Sequence, residues 1–224
     1  MVYHSGGRER GDRETEVPRA AHARASVGDV MMQLLDVIGG RRGHFRMESG
    51  LHSALWFDLD QLFVDAKALD PIVAELAEKL RPYAVDGVCG PLVGGALVAQ
   101  LLSRTLDVEC YFTERIRTAD AGGVFTARYQ LPPGLRGRVS GKRMAIVDDV
   151  MSAGSSLRAT LDEMSAHGAE TAAIGALFVL GSKGAEFFAQ HGLPVESVGQ
   201  STFDMWPAEA CPLCAAGSTV EDVS

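Results

Sequence analysis

At 224 residues, with a hydrophobic content of 46% and moderate charge, the chain has the size and composition of one globular domain with a full core. Its formal charge of −8 argues against non-specific nucleic-acid binding, which depends on Lys and Arg neutralising phosphates. No apolar stretch reaches the roughly 18 residues of a membrane span, and no apolar signal core opens the chain. The expectation is a cytoplasmic protein with reduced thiols and no membrane or nucleic-acid partner.

Residues 1–25 mix charges of both signs with small residues and are expected to form a disordered tail. Ser26, with Asp29 three residues on, opens a helix whose apolar face runs from Val30 to Ile38 and ends at Gly39-Gly40. Gly43 to Asp58 alternates into a hairpin with Ser49-Gly50 as its turn. Within it Phe45 reads as a core residue and Ser49 as a turn residue. Asp70-Pro71 is a helix start, a capping acid followed by Pro at the first helical position, with Ile72, Val73, Leu76 and Leu80 facing inward.

Val85 to Cys89 is the first parallel strand. The turn that follows, Gly90-Pro91-Leu92-Val93-Gly94-Gly95-Ala96, opens a helix. Gly94 and Gly95 leave bare N–H groups there, suited to an anion or to a plain tight turn. Val108 to Phe112 is the second strand. Residues 113–142 then run long for a connection in a compact domain. Arg115 and Arg117 precede a small-residue tip, and Val124 to Leu131 returns as a ribbon strand carrying Arg128. This is either a solvated hairpin or a lid whose arginines meet an anion.

Met144 to Ser156 is the stretch on which chemistry converges. Met144 to Val147 is a continuous apolar run, the mark of a strand buried on both faces. It leads into Asp148 and Asp149, then into the small-residue loop Ser152-Ala153-Gly154-Ser155-Ser156, and then into a helix closed by Gly168. Open α/β sheets bind ligands at the carboxyl ends of their strands, and a helix N-terminus attracts phosphate. Two carboxylates beside an anion site suit a cation or neutral hydroxyls. A sugar phosphate meets both demands, its phosphate on the loop and its ring hydroxyls on the acids.

Ala172 to Leu180 is a further long strand, Lys183 to Gln190 a helix capped by Ser182, and Val195 to Val198 a last short strand. Cys89 and Cys110 read as small buried hydrophobes. Cys211-Pro-Leu-Cys214 could supply half of a zinc site, but with no second pair or His cluster along the sequence it reads as a structural thiol pair. The expected partition is one α/β domain over 26–217, a parallel sheet with helices on both faces. A β-rich hood comes from 43–60 and 195–217, with 218–224 as a flexible C-terminus.

Val147-Asp148-Asp149-Val150-Met151-Ser152-Ala153-Gly154-Ser155-Ser156 resembles the phosphoribosyl-diphosphate (PRPP) signature of the type I phosphoribosyltransferases. The opening from Gly43 to Asp58 resembles the start of the orotate branch. The resemblance implies Mg²⁺-dependent transfer of 5-phosphoribose from PRPP to a ring nitrogen, most like orotate. Asp148 and Asp149 would hold the ribose, and Val150 to Ser156 the 5-phosphate. Val93, Gly94, Gly95, Arg115 and Arg117 would hold the diphosphate, and Phe45 and Ser49 would lie by the base. Mg²⁺ would be held mainly by PRPP. The lid would reach a neighbouring subunit, making a homodimer. Two departures stand out: the loop lacks the branch's Lys, and Leu180-Gly181-Ser182 stands where an Arg would pair with the orotate carboxylate, leaving Arg46 among the candidate substitutes. A purine or other acceptor, or a PRPP-sensing regulator without transfer, are the alternative readings.

Overall fold

The structure, a computed structural model, describes residues 40–46, 50–57, 59–119, 125–201 and 204–223. The expected tail and first helix, and Ser49, lie outside these residues. The described chain begins with β1 (Arg41–Arg46) and β2 (His52–Trp56), an antiparallel hairpin. Gly50, at φ +79°, supplies the left-handed residue of its turn. A register shift between Arg42 and Phe45 interrupts the pairing. Consecutive residues His44 and Phe45 are both buried, so this hairpin is covered on both faces.

Helix α1 (Ala66–Leu80) starts earlier than Asp70-Pro71 suggests. The Asp65 carboxylate accepts from the N–H groups of Lys67 (3.0 Å) and Ala68 (3.4 Å), which makes it the cap. Pro71 therefore sits inside the helix. It lies on the exposed side, where water can reach the carbonyl that loses its intrahelical donor.

The remaining elements are β3 (Gly87–Pro91), α2 (Gly94–Leu106), β4 (Glu109–Ala119), β5 (Phe125–Gln130), the single turn α3 (Pro133–Arg136), β6 (Arg143–Met151) and α4 (Ser155–Ala166). They continue with β7 (Glu170–Leu180), α5 (Lys183–Gln190), β8 (Val195–Ser201), β9 (Met205–Trp206), the single turn α6 (Pro212–Ala215) and β10 (Glu221–Asp222). The main sheet has the order β5-β4-β3-β6-β7-β8, parallel apart from antiparallel β5. In β6, Ala145 and Val147 join the core formed with α1 and α2, while Met144 and Ile146 join the core formed with α4 and α5. Both faces are thus covered, which is why this strand is apolar without alternation. The expected α/β class with helices on both faces is the observed one.

The hood differs from expectation in extent. Residues 195–201 form β8, paired with β7 from Ile174↔Val195 to Leu180↔Ser201, and belong to the main sheet. The hood is instead the small sheet β10-β1-β2-β9. Nor is the segment after 217 a loose end: β10 runs parallel to β1, with Phe45 opposite Glu221 and Arg46 opposite Asp222. The Arg41 guanidinium grips Glu221 through two 2.7 Å bonds, and Arg46 pairs with Asp222.

The long segment that begins after Phe112 contains a strand pair. β4 continues past Phe112, and Glu114↔Gln130 to Ala119↔Phe125 pair as an antiparallel ribbon. Its two roots are tied to α4. The buried hydroxyls of Thr113 and Thr160 lie 2.9 Å apart, and the Leu131 N–H donates to Glu163 Oε1 at 2.9 Å. Among the described residues, no helix is long and apolar enough to cross a membrane.

Candidate active site

β6 does not stop at its apolar run but continues through both acids, with Asp148 opposite Ala176 and Met151 opposite Val179. The acids therefore sit on rigid strand backbone at the carboxyl edge of the sheet. Asp148 is only 6% exposed. Its Oδ2 accepts from the Ser156 hydroxyl (2.7 Å) and its Oδ1 from the Asp149 N–H (3.1 Å), while Asp149 Oδ1 accepts from the Val150 N–H (2.7 Å). Burial, joined by repulsion from Asp149, pushes the Asp148 carboxyl well above the usual carboxylate range. Burial also raises Asp149, against the opposing bond from Val150. An adjacent acid pair with one member buried is suited to bound hydroxyls or to positive charge, either of which relieves the repulsion.

The glycine turn after β3 packs directly on these acids. A Cβ added at Gly94 would fall on the Asp149 carboxylate, and one at Gly95 would stand 2.8 Å from Asp148 Oδ1. Glycine is required here by close approach. The turn enters α2 through Val93, which is 70% exposed, and the Leu92–Val93 peptide is cis. With no side chain capping α2, its first N–H groups stay open beside the acid pair.

On the other side of the acids, Gly154 turns left-handed (φ +71°) and starts α4, again without a side-chain cap. Ser152, Ala153 and Ser155 are exposed, which sets two serine hydroxyls at the surface around an uncapped helix N-terminus. Ser156 differs: its hydroxyl is committed to Asp148. Val150 packs against one core and Met151 is buried in the other, so these two can offer a ligand only backbone. The loop is held from behind by α5, whose Gly184 N–H donates to the Ser152 carbonyl at 3.0 Å. A Cβ at Gly184 would meet that oxygen at 2.6 Å.

The same loop forms one wall of a cavity of about 800 Å³ between the main sheet and the hood. Ser152, Ala153 and the segment Leu180 to Lys183 line it on one side; Leu51, Asp204 and Met205 line it on the other. Lys183, at the first position of α5, was not singled out by sequence reasoning. Its cue was present, a cation one residue beyond the place where Arg is missing, but the helix reading absorbed it.

The base-side expectation for Phe45 is corrected. Phe45 is 1% exposed, packed near Trp56 with the Arg41 guanidinium over its ring, and does not line the cavity. Ser49 lies outside the described residues. Arg46 is occupied by Asp222. Arg115 is exposed on the ribbon opposite Tyr129, whose hydroxyl also feels Asp148; the side chain of Arg117 lies outside the described structure.

A sheet edge bearing a buried and a half-buried acid, flanked by two uncapped helix N-termini, has the chemistry suited to a phosphorylated sugar. The family model for the phosphoribosyl transferase domain matches residues 63–193, more than half of the chain, and spans the acids, both glycine turns and the ribbon. The chain belongs to the type I phosphoribosyltransferase family. It is 28% identical over 195 residues to the orotate phosphoribosyltransferase of Thermotoga maritima, covering 86% of this chain and 96% of that one. To the orotate phosphoribosyltransferase of Heliobacterium modesticaldum it is 31% identical over 194 residues, covering 83% and 93%. The crystal structure of orotate phosphoribosyltransferase from Aeropyrum pernix superposes with a TM-score of 0.59 at 21% identity, covering 76% and 93%, and shares the fold.

Proposed function

We propose that this chain transfers the 5-phosphoribosyl group of PRPP to orotate, forming orotidine 5′-phosphate and diphosphate. One observation carries the reading: the adjacent acids Asp148 and Asp149, the first buried and the second half-buried, touch the Gly94-Gly95 turn on one side and, through Ser156, the loop at the α4 N-terminus on the other. The 5-phosphate would bind the N–H groups of the Ser152–Ser156 loop, with the hydroxyls of Ser152 and Ser155. The ribose 2- and 3-hydroxyls would donate to Asp148 and Asp149. The diphosphate would lie on the Gly94-Gly95 turn and be met by Arg115 from the ribbon, with Arg117 as a second cation.

In the transfer, the acceptor nitrogen forms a bond to the anomeric carbon as the bond to diphosphate breaks. Positive charge develops on the ribose ring, and Asp148 and Asp149, fixed beside it on strand backbone, would stabilise that charge. A cation fits the acid pair, whose mutual repulsion and burial favour positive charge. Mg²⁺ carried in with PRPP would neutralise the leaving diphosphate. Asp148 and Asp149 would orient the hydroxyls that help to hold it.

Orotate is favoured by the names of the relatives and by a cation in the cavity. Lys183 lines the space beside the phosphate loop and would pair with the acceptor's carboxylate in place of the missing Arg. Such a carboxylate would otherwise enter the cavity unpaired, at a substantial desolvation cost. The ribbon would close over bound PRPP, excluding water, and a homodimer in which it serves a neighbouring subunit is the expected working unit. The test is an acceptor screen with PRPP and Mg²⁺, detecting diphosphate. Orotate should be the productive acceptor and orotidine 5′-phosphate the product. Turnover with adenine or hypoxanthine and none with orotate would overturn the assignment of the base.

A further inference from the structure

The hood brings together four side chains that the sequence keeps far apart. His44 on β1, His52 on β2, and Cys211 and Cys214 around α6 point their ligand atoms at one another, all lying within 4.8 Å. His44 Nε2 is 2.9 Å from His52 Nδ1, 3.4 Å from Cys211 Sγ and 3.7 Å from Cys214 Sγ; Cys214 Sγ is 3.3 Å from His52 Nδ1. A zinc ion with bonds of about 2.0 Å to nitrogen and 2.3 Å to sulfur has tetrahedral edges of roughly 3.3–3.8 Å. The contacts of 2.9, 3.3, 3.4 and 3.7 Å lie close to those edges.

We propose that His44, His52, Cys211 and Cys214 bind a structural Zn²⁺. Three further observations support a built site. His44, His52 and Cys211 are almost fully buried, at 4%, 5% and 3% exposure, with Cys214 at the outer edge. The far ring nitrogen of His44 lies 2.9 Å from the Ser218 carbonyl. Donation to that carbonyl leaves a lone pair on Nε2 aimed into the cluster, the usual support for a metal-bound imidazole. The cysteines are presented on a tight turn, with the Ala215 N–H donating to the Cys211 carbonyl (3.1 Å) and the Gly217 N–H to that of Cys214 (2.9 Å).

The chemistry selects the metal class. Two thiolates and two imidazoles in a closed tetrahedral arrangement suit Zn²⁺, with no position left for a substrate. The site is therefore a staple. It ties the N-terminal hairpin to the C-terminal segment in a sheet whose outer strands β9 and β10 are two residues each and whose Arg41 and Arg46 ion pairs are exposed. Because His52 pairs with Trp206 and Ser53 with Met205, the staple also fixes the cavity wall that carries Met205.

The test is independent of catalysis. The full chain, produced with Zn²⁺ supplied and passed into metal-free buffer, should carry about one zinc per chain by elemental analysis. Replacement by Co²⁺ should give the visible absorption of a tetrahedral thiolate complex. Cys214→Ser, which alters the outermost ligand, and His52→Ala should each reduce zinc retention, with folding checked by far-UV circular dichroism. If either variant does not fold, the wild-type chain decides: chelator should release zinc, lower the melting temperature and increase the rate at which thiols react with a colorimetric reagent, and added Zn²⁺ should reverse all three. Zinc on the order of 0.1 per chain or less after zinc-supplied growth, a Cys211–Cys214 disulfide in place of metal, or unchanged zinc in a folded His52→Ala, Cys214→Ser double variant would each overturn the proposal.

Discussion

The edge of the main sheet and the hood face each other across one cavity and are held by different means. At the sheet edge the ligand groups belong to a rigid strand, two glycine turns and a helix start, and their positions follow from backbone hydrogen bonds and close packing. In the hood, Phe45 is the one large side chain that is fully buried among the described residues, and order depends on side chains from opposite ends of the chain meeting at one point. The comparison teaches that the proposed chemistry falls on the side whose geometry costs little to maintain. The other side would shape the acceptor's space.

The largest effects should come from breaking the sheet edge. Asp149→Asn should leave the fold intact and lower turnover on the order of 10²–10³, the scale of one preorganised electrostatic group. Gly94→Ala should match it, because the new methyl displaces the Asp149 carboxylate. Near wild-type turnover in both, measured with the productive acceptor, would remove the acid pair from the mechanism.

A smaller effect should separate the two sides of the cavity. Lys183→Ala should raise the KM for orotate roughly tenfold to a hundredfold, the loss of one charged hydrogen bond of about 1.5–3 kcal/mol. The KM for PRPP should hold steady; equal rises in both would mean that Lys183 only supports the loop. Arg115→Ala should lower turnover while leaving the melting temperature nearly unchanged, since the side chain is exposed. Cleavage by trypsin at Arg115 should slow when PRPP and Mg²⁺ are bound, and an unchanged rate would show that the ribbon does not close.

The smallest effect concerns stability and has a definite sign. The Asp148 carboxyl titrates above its ordinary range because of burial and Asp149, so its contribution is complete below the unfolded-state value of about 4. That contribution is lost as pH rises through the native titration. Asp148→Asn should therefore raise the melting temperature at neutral pH, with the gain vanishing near about pH 3. A lower melting temperature at neutral pH would mean that the bond from Ser156 outweighs the burial.

How much was legible follows from how local each feature is. The acid pair, its loop and the next helix occupy one contiguous run, so residue order alone exposed their strand–loop–helix structure. The Gly94-Gly95 turn was legible as a glycine turn opening a helix, but its contact with Asp149 is a tertiary fact. Helix α1 was misplaced by five residues at most because Asp70-Pro71 imitates a start, while Asp65 makes the bonds. The four residues of the proposed zinc site were not legible for a physical reason. His44 and Cys211 are separated by 167 residues, and only the closure of β10 and β9 around the hairpin brings them together. Lys183 was in view throughout, but as a helix residue, because nothing in the sequence says that the first turn of α5 borders a cavity.

The two bonds that tie the ribbon to α4 set where motion can begin. Thr113 and Leu131 are pinned, so any hinge lies beyond them, at the Glu114–Gln130 pair or farther out. From there to Ala119 the ribbon is a lever of six residues, about 20 Å at 3.3 Å per residue. Its fulcrum stands on the helix whose N-terminus would grip the 5-phosphate. In the proposed reaction a load at one end of α4 would thus be felt at the base of the lever, and the stroke of the arm would be measured from the same platform that holds the sugar.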